Sequence, residues 1–228
     1  VVLATGAIER PLVFGNNDRP GVMLASAVSA YLNRYAVAPG SRTVIFTNND
    51  SAYQTALDLV DTGISVAAVV DVRPEPGGSL AAQVRKSGVE VLSGHAVVNV
   101  NGRMRAKSVA VMRLDASAVT VEGRSRTISC DLVAVSGGWN PTVHLHTQSG
   151  GSLRFDELKS CFVPEESVQA ERLAGSSNGS FTLAECLAEG AASGAHAARD
   201  AGFGTGQMSS AAAVVDDPAE EPSQAVWT

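Results

Sequence analysis

Arg42-Thr43-Val44-Ile45-Phe46-Thr47-Asn48-Asn49-Asp50-Ser51, continued through residues 52–61 to Ser65-Val66-Ala67-Ala68-Val69-Val70-Asp71, decides the fold. Residues 43–47 are apolar on both faces, as a strand in the buried middle of a parallel sheet must be. Asn48-Asn49-Asp50-Ser51 is a turn, and Asp50 or Ser51 caps a helix over 52–61. Gly63 ends that helix, and residues 65–70 form the next buried strand. Strand, crossover helix and parallel strand within about 30 residues make a βαβ unit. A further helix (79–86) and strand (89–92) extend it. From 96 to 128 the period changes: Val97-Val98-Asn99-Val100, Ser108-Val109-Ala110-Val111-Met112 and Ala118-Val119-Thr120-Val121 are short β-rich runs separated by Asn-Gly and Gly-Arg turns, an antiparallel meander. Cys130-Asp131-Leu132-Val133-Ala134-Val135 returns as a buried strand ending at Ser136-Gly137-Gly138.

On either side the pattern is different. Val1-Val2-Leu3-Ala4-Thr5-Gly6-Ala7 is another apolar strand, and Gly6, without a Cβ, lets backbone approach a ligand closely. Residues 8–21 read as an ordered loop, and 22–35 as a helix stopped by Ala38-Pro39-Gly40. Residues 150–171 are rich in loops. Ala174-Gly175 opens a last unit with a helix over 182–201 and a Thr-x-x-Glu capping box at Thr182 and Glu185. The implied organisation is nested: residues 1–39 and 151–203 are two parts of an outer dinucleotide-binding domain, 40–150 a complete Rossmann-like domain inserted between them, and 204–228 an acidic, Pro-containing linker or tail. The outer domain's glycine fingerprint is expected upstream of Val1, leaving an incomplete cradle.

Composition narrows the function. The 228 residues are 45% hydrophobic and 18% charged, enough apolar material for a core, and the net charge of −6 argues against a nucleic-acid partner. No apolar run approaches the ~20 residues of a membrane span. Cys130, Cys161 and Cys186 are isolated, without a CxxC, and read as inert thiols of a reducing, cytoplasmic compartment.

Candidate chemistry is sparse. A working inner dinucleotide site wants G-x-G-x-x-G between strand and helix. Thr47-Asn48-Asn49-Asp50-Ser51 has no glycine and sets Asp50 where phosphate should sit, so a degenerate site retained as structure is the better reading. Asp71 ends the second strand, where an acid holds a ribose hydroxyl, although acids occur there without ligands too. The Gly6 turn and Gly175-Ser176-Ser177-Asn178-Gly179 are better candidates, with an ordinary turn and capped helix as the alternative. His144 and His146 read as solvent-exposed loop histidines rather than metal ligands, and no metal site is expected. Trp139 packs or covers a ligand. No catalytic residue emerges.

Together the motifs resemble a known family. Ala4-Thr5-Gly6-Ala7-Ile8-Glu9-Arg10-Pro11, Asp18-Arg19-Pro20-Gly21-Val22-Met23, Phe46-Thr47-Asn48-Asn49-Asp50, Gly137-Gly138-Trp139-Asn140-Pro141 and the 174–185 segment look like the alpha subunit of heterotetrameric sarcosine oxidase, over about residues 1–203. The resemblance implies an α/β, Rossmann-like, thioredoxin-reductase-type flavoprotein fold with two dinucleotide domains. It implies oxidation of sarcosine to glycine, with formaldehyde or methylene-tetrahydrofolate and hydrogen peroxide as products. NAD is implied on alpha, FMN at the alpha–beta interface, FAD on beta, and tetrahydrofolate on a further C-terminal domain, with beta, gamma and delta subunits as partners. FAD relatives carry Gly-Asp at the last turn, the Asp binding ribitol; here Gly175 precedes Ser176, which fits NAD. On this reading Thr5, Gly6, Gly175 and Ser176 line the NAD site and the inner turn is empty. A related amine or opine oxidase subunit, a thioredoxin-reductase-like NAD(P)H-dependent reductase and a non-catalytic assembly scaffold are the alternatives; the missing CxxC counts against the reductase.

Overall fold

The computed structural model describes residues 1–204, 217 and 221–226. In chain order the elements are β1 (Val2–Leu3), β2 (Ala7–Glu9), β3 (Val22–Leu24), α1 (Ala25–Tyr35), β4 (Arg42–Thr47), α2 (Ser51–Asp61), β5 (Ser65–Asp71), α3 (Gly78–Lys86), β6 (Val91–Ser93), β7 (His95–Asn101), β8 (Ser108–Leu114), β9 (Val121–Ser129), β10 (Leu132–Ser136) and β11 (Trp139–Pro141). They continue with α4 (His144–Gln148), β12 (Leu153–Asp156), β13 (Cys161–Pro164), β14 (Arg172–Leu173), a 3-10 turn (Gly175–Asn178) and α5 (Leu183–Asp200). Contacts divide the chain into two compact units: unit 1 is Val1–Ile8 with Trp139–Pro218, and unit 2 is Glu9–Gly138 with Ala219–Thr228.

Unit 2 is a parallel five-stranded sheet of order β3-β10-β4-β5-β6. Its strands are covered on both faces, which is why they read as unbroken apolar runs. Side chains alternate across the sheet. Ile45, Val69, Leu132 and Ala134 pack with Val28 of α1, Ala56 and Leu59 of α2 and Val84 of α3. Val44, Phe46, Val70, Val133 and Val135 pack on the other face with Val97, Val100, Val109 and Val111 of the antiparallel β7-β8-β9 meander. Phe14 closes that layer edge-on against Phe46, ring centroids 5.6 Å apart.

Several boundaries fall elsewhere than the sequence pattern placed them. Val22–Leu24 is a strand rather than the first turn of a helix, because it pairs in parallel with β10 at Val22↔Val133 through Leu24↔Val135. That pairing brings 9–39 into unit 2, whereas residues 1–39 were expected to lie in the outer domain. At the other end unit 2 stops at Gly138, not at 150. The two glycines there are needed for close approach: a Cβ on Gly137 would meet the Pro11 carbonyl oxygen at 2.8 Å, and the backbones exchange Arg10 N–H to Gly138 O (2.8 Å) and Gly137 N–H to Arg10 O (2.7 Å). The third meander strand starts at Val121 instead of Ala118 and runs through Gly123, so Gly123-Arg124 is not a turn.

Unit 1 is built from small pairings: β1 with β14 in parallel, β2 with β11, and the β12–β13 hairpin. The expected capping box at α5 forms in part: Thr182 Oγ1 accepts from Glu185 N–H (3.3 Å) and donates to Glu185 Oε2 (2.9 Å). Asp217 accepts from the next free amide, Ala184 N–H, at 2.6 Å. Of the 204–228 segment read as linker or tail, residues 205–216, 218–220 and 227–228 lie outside the described residues.

Candidate functional site

The candidate cofactor residues of unit 1 gather at one end of the β1–β14 pair. These strands run parallel in register, Val2↔Arg172 and Leu3↔Leu173, so the Gly6 and Gly175 turns leave the same carboxyl edge, where α/β folds receive ligands. Leu3 O accepts from Ala174 N–H (3.0 Å) and Ser177 Oγ (3.1 Å), tying one turn to the other. Gly6 has φ +76° and Gly175 φ +71°, both left-handed, where a β-carbon is strained. A Cβ on Gly6 would find only Ser176 Oγ, 4.0 Å away, so the space above this turn is open. Thr5 Oγ1 donates to Thr142 O at 2.6 Å, and Thr142 N–H donates back to Gly6 O at 2.9 Å.

The Gly175 turn carries a feature invisible in sequence. Glu189, on α5, accepts Gly175 N–H (2.8 Å) with one oxygen and Ser180 Oγ (2.6 Å) and Asn178 Nδ2 (3.2 Å) with the other. With the Ala184 amide donating to Asp217 and the Glu185 amide to Thr182 Oγ1, this helix start is already capped by the chain's own side chains and is no phosphate site. No spacing rule links position 189 to a turn over 175–180, so only folding reveals it.

The inner turn is a sealed network. Asp71, wholly buried, accepts from Tyr53 Oη (2.8 Å), Arg73 N–H (2.9 Å), Arg73 Nε (3.1 Å) and Arg73 Nη2 (2.8 Å). Arg73 Nη2 also reaches Asp50 Oδ1 at 2.8 Å. Burial works against the Arg73 charge, but Asp71 and Asp50 outweigh it and drive its pKa further up. Burial, reinforced by Asp71, pushes the Tyr53 hydroxyl up as well. Asn49 turns inward to Ser136 Oγ (3.0 Å). The acid that would take a ribose hydroxyl is spent within the protein.

His146 is not the exposed loop histidine its flanking residues imply. It lies in α4, fully buried, with Nδ1 2.8 Å from Glu171 Oε1 and Nε2 3.0 Å from Ser152 O. The Ser149 hydroxyl (2.7 Å), followed by His146, holds the Glu171 carboxyl below its ordinary 4.5. A carboxyl depressed in the fold stabilises it above the unfolded-state value and loses that contribution as pH falls through the folded value. Unit 1 is therefore expected to lose stability as pH drops below 4.5. Thermal melts from pH 6 to 3 check this: Glu171→Gln should flatten the acid limb.

Of the cysteines, Cys130 and Cys161 are buried, and burial pushes the Cys130 thiol up to about 11. Cys186 is only partly buried, its thiol raised by burial and then by Glu189. Among the described residues no helix is long and apolar enough to cross a membrane, and no three His, Cys, Asp or Glu gather as for a metal.

No family model matches the chain. The sarcosine oxidase subunit alpha of Corynebacterium sp. (strain P-1) is 45% identical over 203 residues, 89% of this chain and 21% of that protein. Over most of its length the chain is similar to a sarcosine oxidase alpha subunit. The same subunit of Corynebacterium sp. (strain U-96) is 42% identical over 203 residues, again 89% of this chain and 21% of the relative. The chain thus spans about a fifth of the length of the curated relatives it matches. Among solved structures, T. acidophilum thioredoxin reductase superposes with a TM-score of 0.62 at 16% identity, over 83% of this chain and 61% of that one, a likeness of fold. The expected Rossmann-like, thioredoxin-reductase-type flavoprotein fold is the one observed.

Proposed function

We propose that this chain is the NAD-holding part of the alpha subunit of a multisubunit oxidoreductase that oxidises the CH–NH group of sarcosine. The reaction gives glycine, formaldehyde or methylene-tetrahydrofolate, and hydrogen peroxide. The observation carrying this reading is the pair of left-handed glycine turns at one strand edge, Gly6 facing Ser176, in a chain 45% identical to such a subunit. NAD would lie over Thr5 and Gly6 with its ribose toward Ser176, and Gly175 would hold the second turn open. Because Glu189 already takes the Gly175 amide, phosphates are held by residues outside this edge.

FMN at the alpha–beta interface, FAD on beta, tetrahydrofolate on a further domain and the beta, gamma and delta subunits complete the assembly, in the cytoplasm. When bound, the flavins accept the substrate's electrons; this chain's residues supply binding and position. No residue of the chain is assigned to the reacting carbon.

Equilibrium dialysis of NAD against the full-length subunit tests the reading. Gly6→Val fills the open edge with a branched side chain and is expected to weaken NAD binding by at least about tenfold, about 1.4 kcal/mol, apart from any stability cost of the left-handed backbone. No NAD binding by the folded wild-type subunit would exclude the proposal.

A further inference from the structure

The carboxyl edge of the unit 2 sheet, where β4 and β5 release Asn48 and Asp71, is not bare. Residues 221–226 run along it. Glu221 N–H donates to Asp50 Oδ2 at 3.0 Å, and Arg73 Nη1 donates to Pro222 O at 3.4 Å. Asn48 and Gln224 make a two-point clamp: Gln224 N–H donates to Asn48 O (3.2 Å), and Asn48 Nδ2 donates to Gln224 O (2.8 Å). Val226 then packs against the apolar layer between sheet and meander. At the other end, a Cβ on Gly77 would stand 3.2 Å from Glu221 Oε1, so the side chain of Glu221 lies on the glycine turn that opens α3. A carboxylate at a helix N-terminus is favoured by the aligned amides.

We infer that this edge is a docking site for an extended peptide, that its occupant is the chain's own 221–226, and that the segment takes the place a nucleotide holds in related folds. Recognition is mostly through the peptide backbone, as when an extended segment adds to a sheet edge, with one apolar side chain as anchor. The turn chemistry fits this occupant better than a dinucleotide. Asn48 offers one carbonyl and one amide in the spacing of a peptide unit, whereas a phosphate needs a row of amides, and Asp50 repels it. An adenosine ribose would find the Asp71 oxygens already engaged by Tyr53 and Arg73. The glycine-less turn is thus a peptide clamp, and the segment composed like a linker is its ligand. Being part of the same chain, the segment sees an effective concentration far above that of a free peptide.

Amide hydrogen exchange on the full chain tests this. The Glu221 and Gln224 amides should exchange at least about tenfold more slowly than in an unstructured peptide. Val226→Asp should return both to the unstructured rate, while Val69 and Val133, bonded inside the sheet, stay protected. A Gln224 amide exchanging at the unstructured rate in the wild-type chain would overturn the inference. So would protection of both amides that Val226→Asp leaves untouched.

Discussion

Arg73→Ala is expected to destabilise unit 2 by about 3–5 kcal/mol, the cost of removing one partner from a buried ionic cluster. The Arg73 side chain is 7% exposed and stands between Asp71, at 0%, and Asp50, at 12%. Alanine would leave both carboxylates without their counter-charge, and Asp71 would keep only Tyr53 Oη and a backbone amide as donors. For a domain of this size the loss lowers the melting temperature by about 10 °C or more. Arg73→Met with both Asp71→Asn and Asp50→Asn should recover more than half of it, because that set leaves no buried charge without a partner. Denaturation of both variants followed by circular dichroism is the check. A loss under about 1 kcal/mol for Arg73→Ala would mean that water reaches the two carboxylates.

Gly151→Ala is the second large effect, about 3 kcal/mol, at the upper end of what overpacking costs. A Cβ there would fall onto the His146 ring, whose Cε1, Nε2 and Nδ1 are its three nearest atoms. The ring has nowhere to go, since Glu171 holds one nitrogen and Ser152 O the other. Gly190→Ala is the contrasting case. Its Cβ would meet nothing within 4 Å on α5, so relief of backbone entropy in a helix should stabilise by about 0.5–1 kcal/mol. Opposite signs for the two glycines, measured by urea denaturation, would show that packing and not glycine loss as such sets the result.

What could be read from the sequence follows from range. The βαβ core was legible because alternating packing on both sheet faces forces an apolar residue at nearly every position of β4, β5 and β10. β3 was not, since Val22-Met23-Leu24 runs into α1 without a break and becomes a strand only by pairing with β10, over a hundred positions away. Burial of His146 depends on Glu171 and Gly151, and no local pattern around 144–148 announces it. The Gly6–Ser176 juxtaposition was legible as two small-residue turns; the Glu189 clamp behind Gly175 was not, because it joins a helix surface position to a turn nine to fourteen residues earlier. Acidic, Pro-containing composition at 221–226 reports a weak intrinsic fold and nothing about a partner edge that supplies the hydrogen bonds.

The central claim, that dinucleotide binding belongs to unit 1 while unit 2 is closed by its own side chains and segment, is open to one direct measurement. NAD carrying a photoreactive adenine would be cross-linked to the full-length subunit and the labelled peptides sequenced. The account predicts label on peptides containing residues 1–8 or 172–180. Label on residues 47–53 or 71–78 would contradict it.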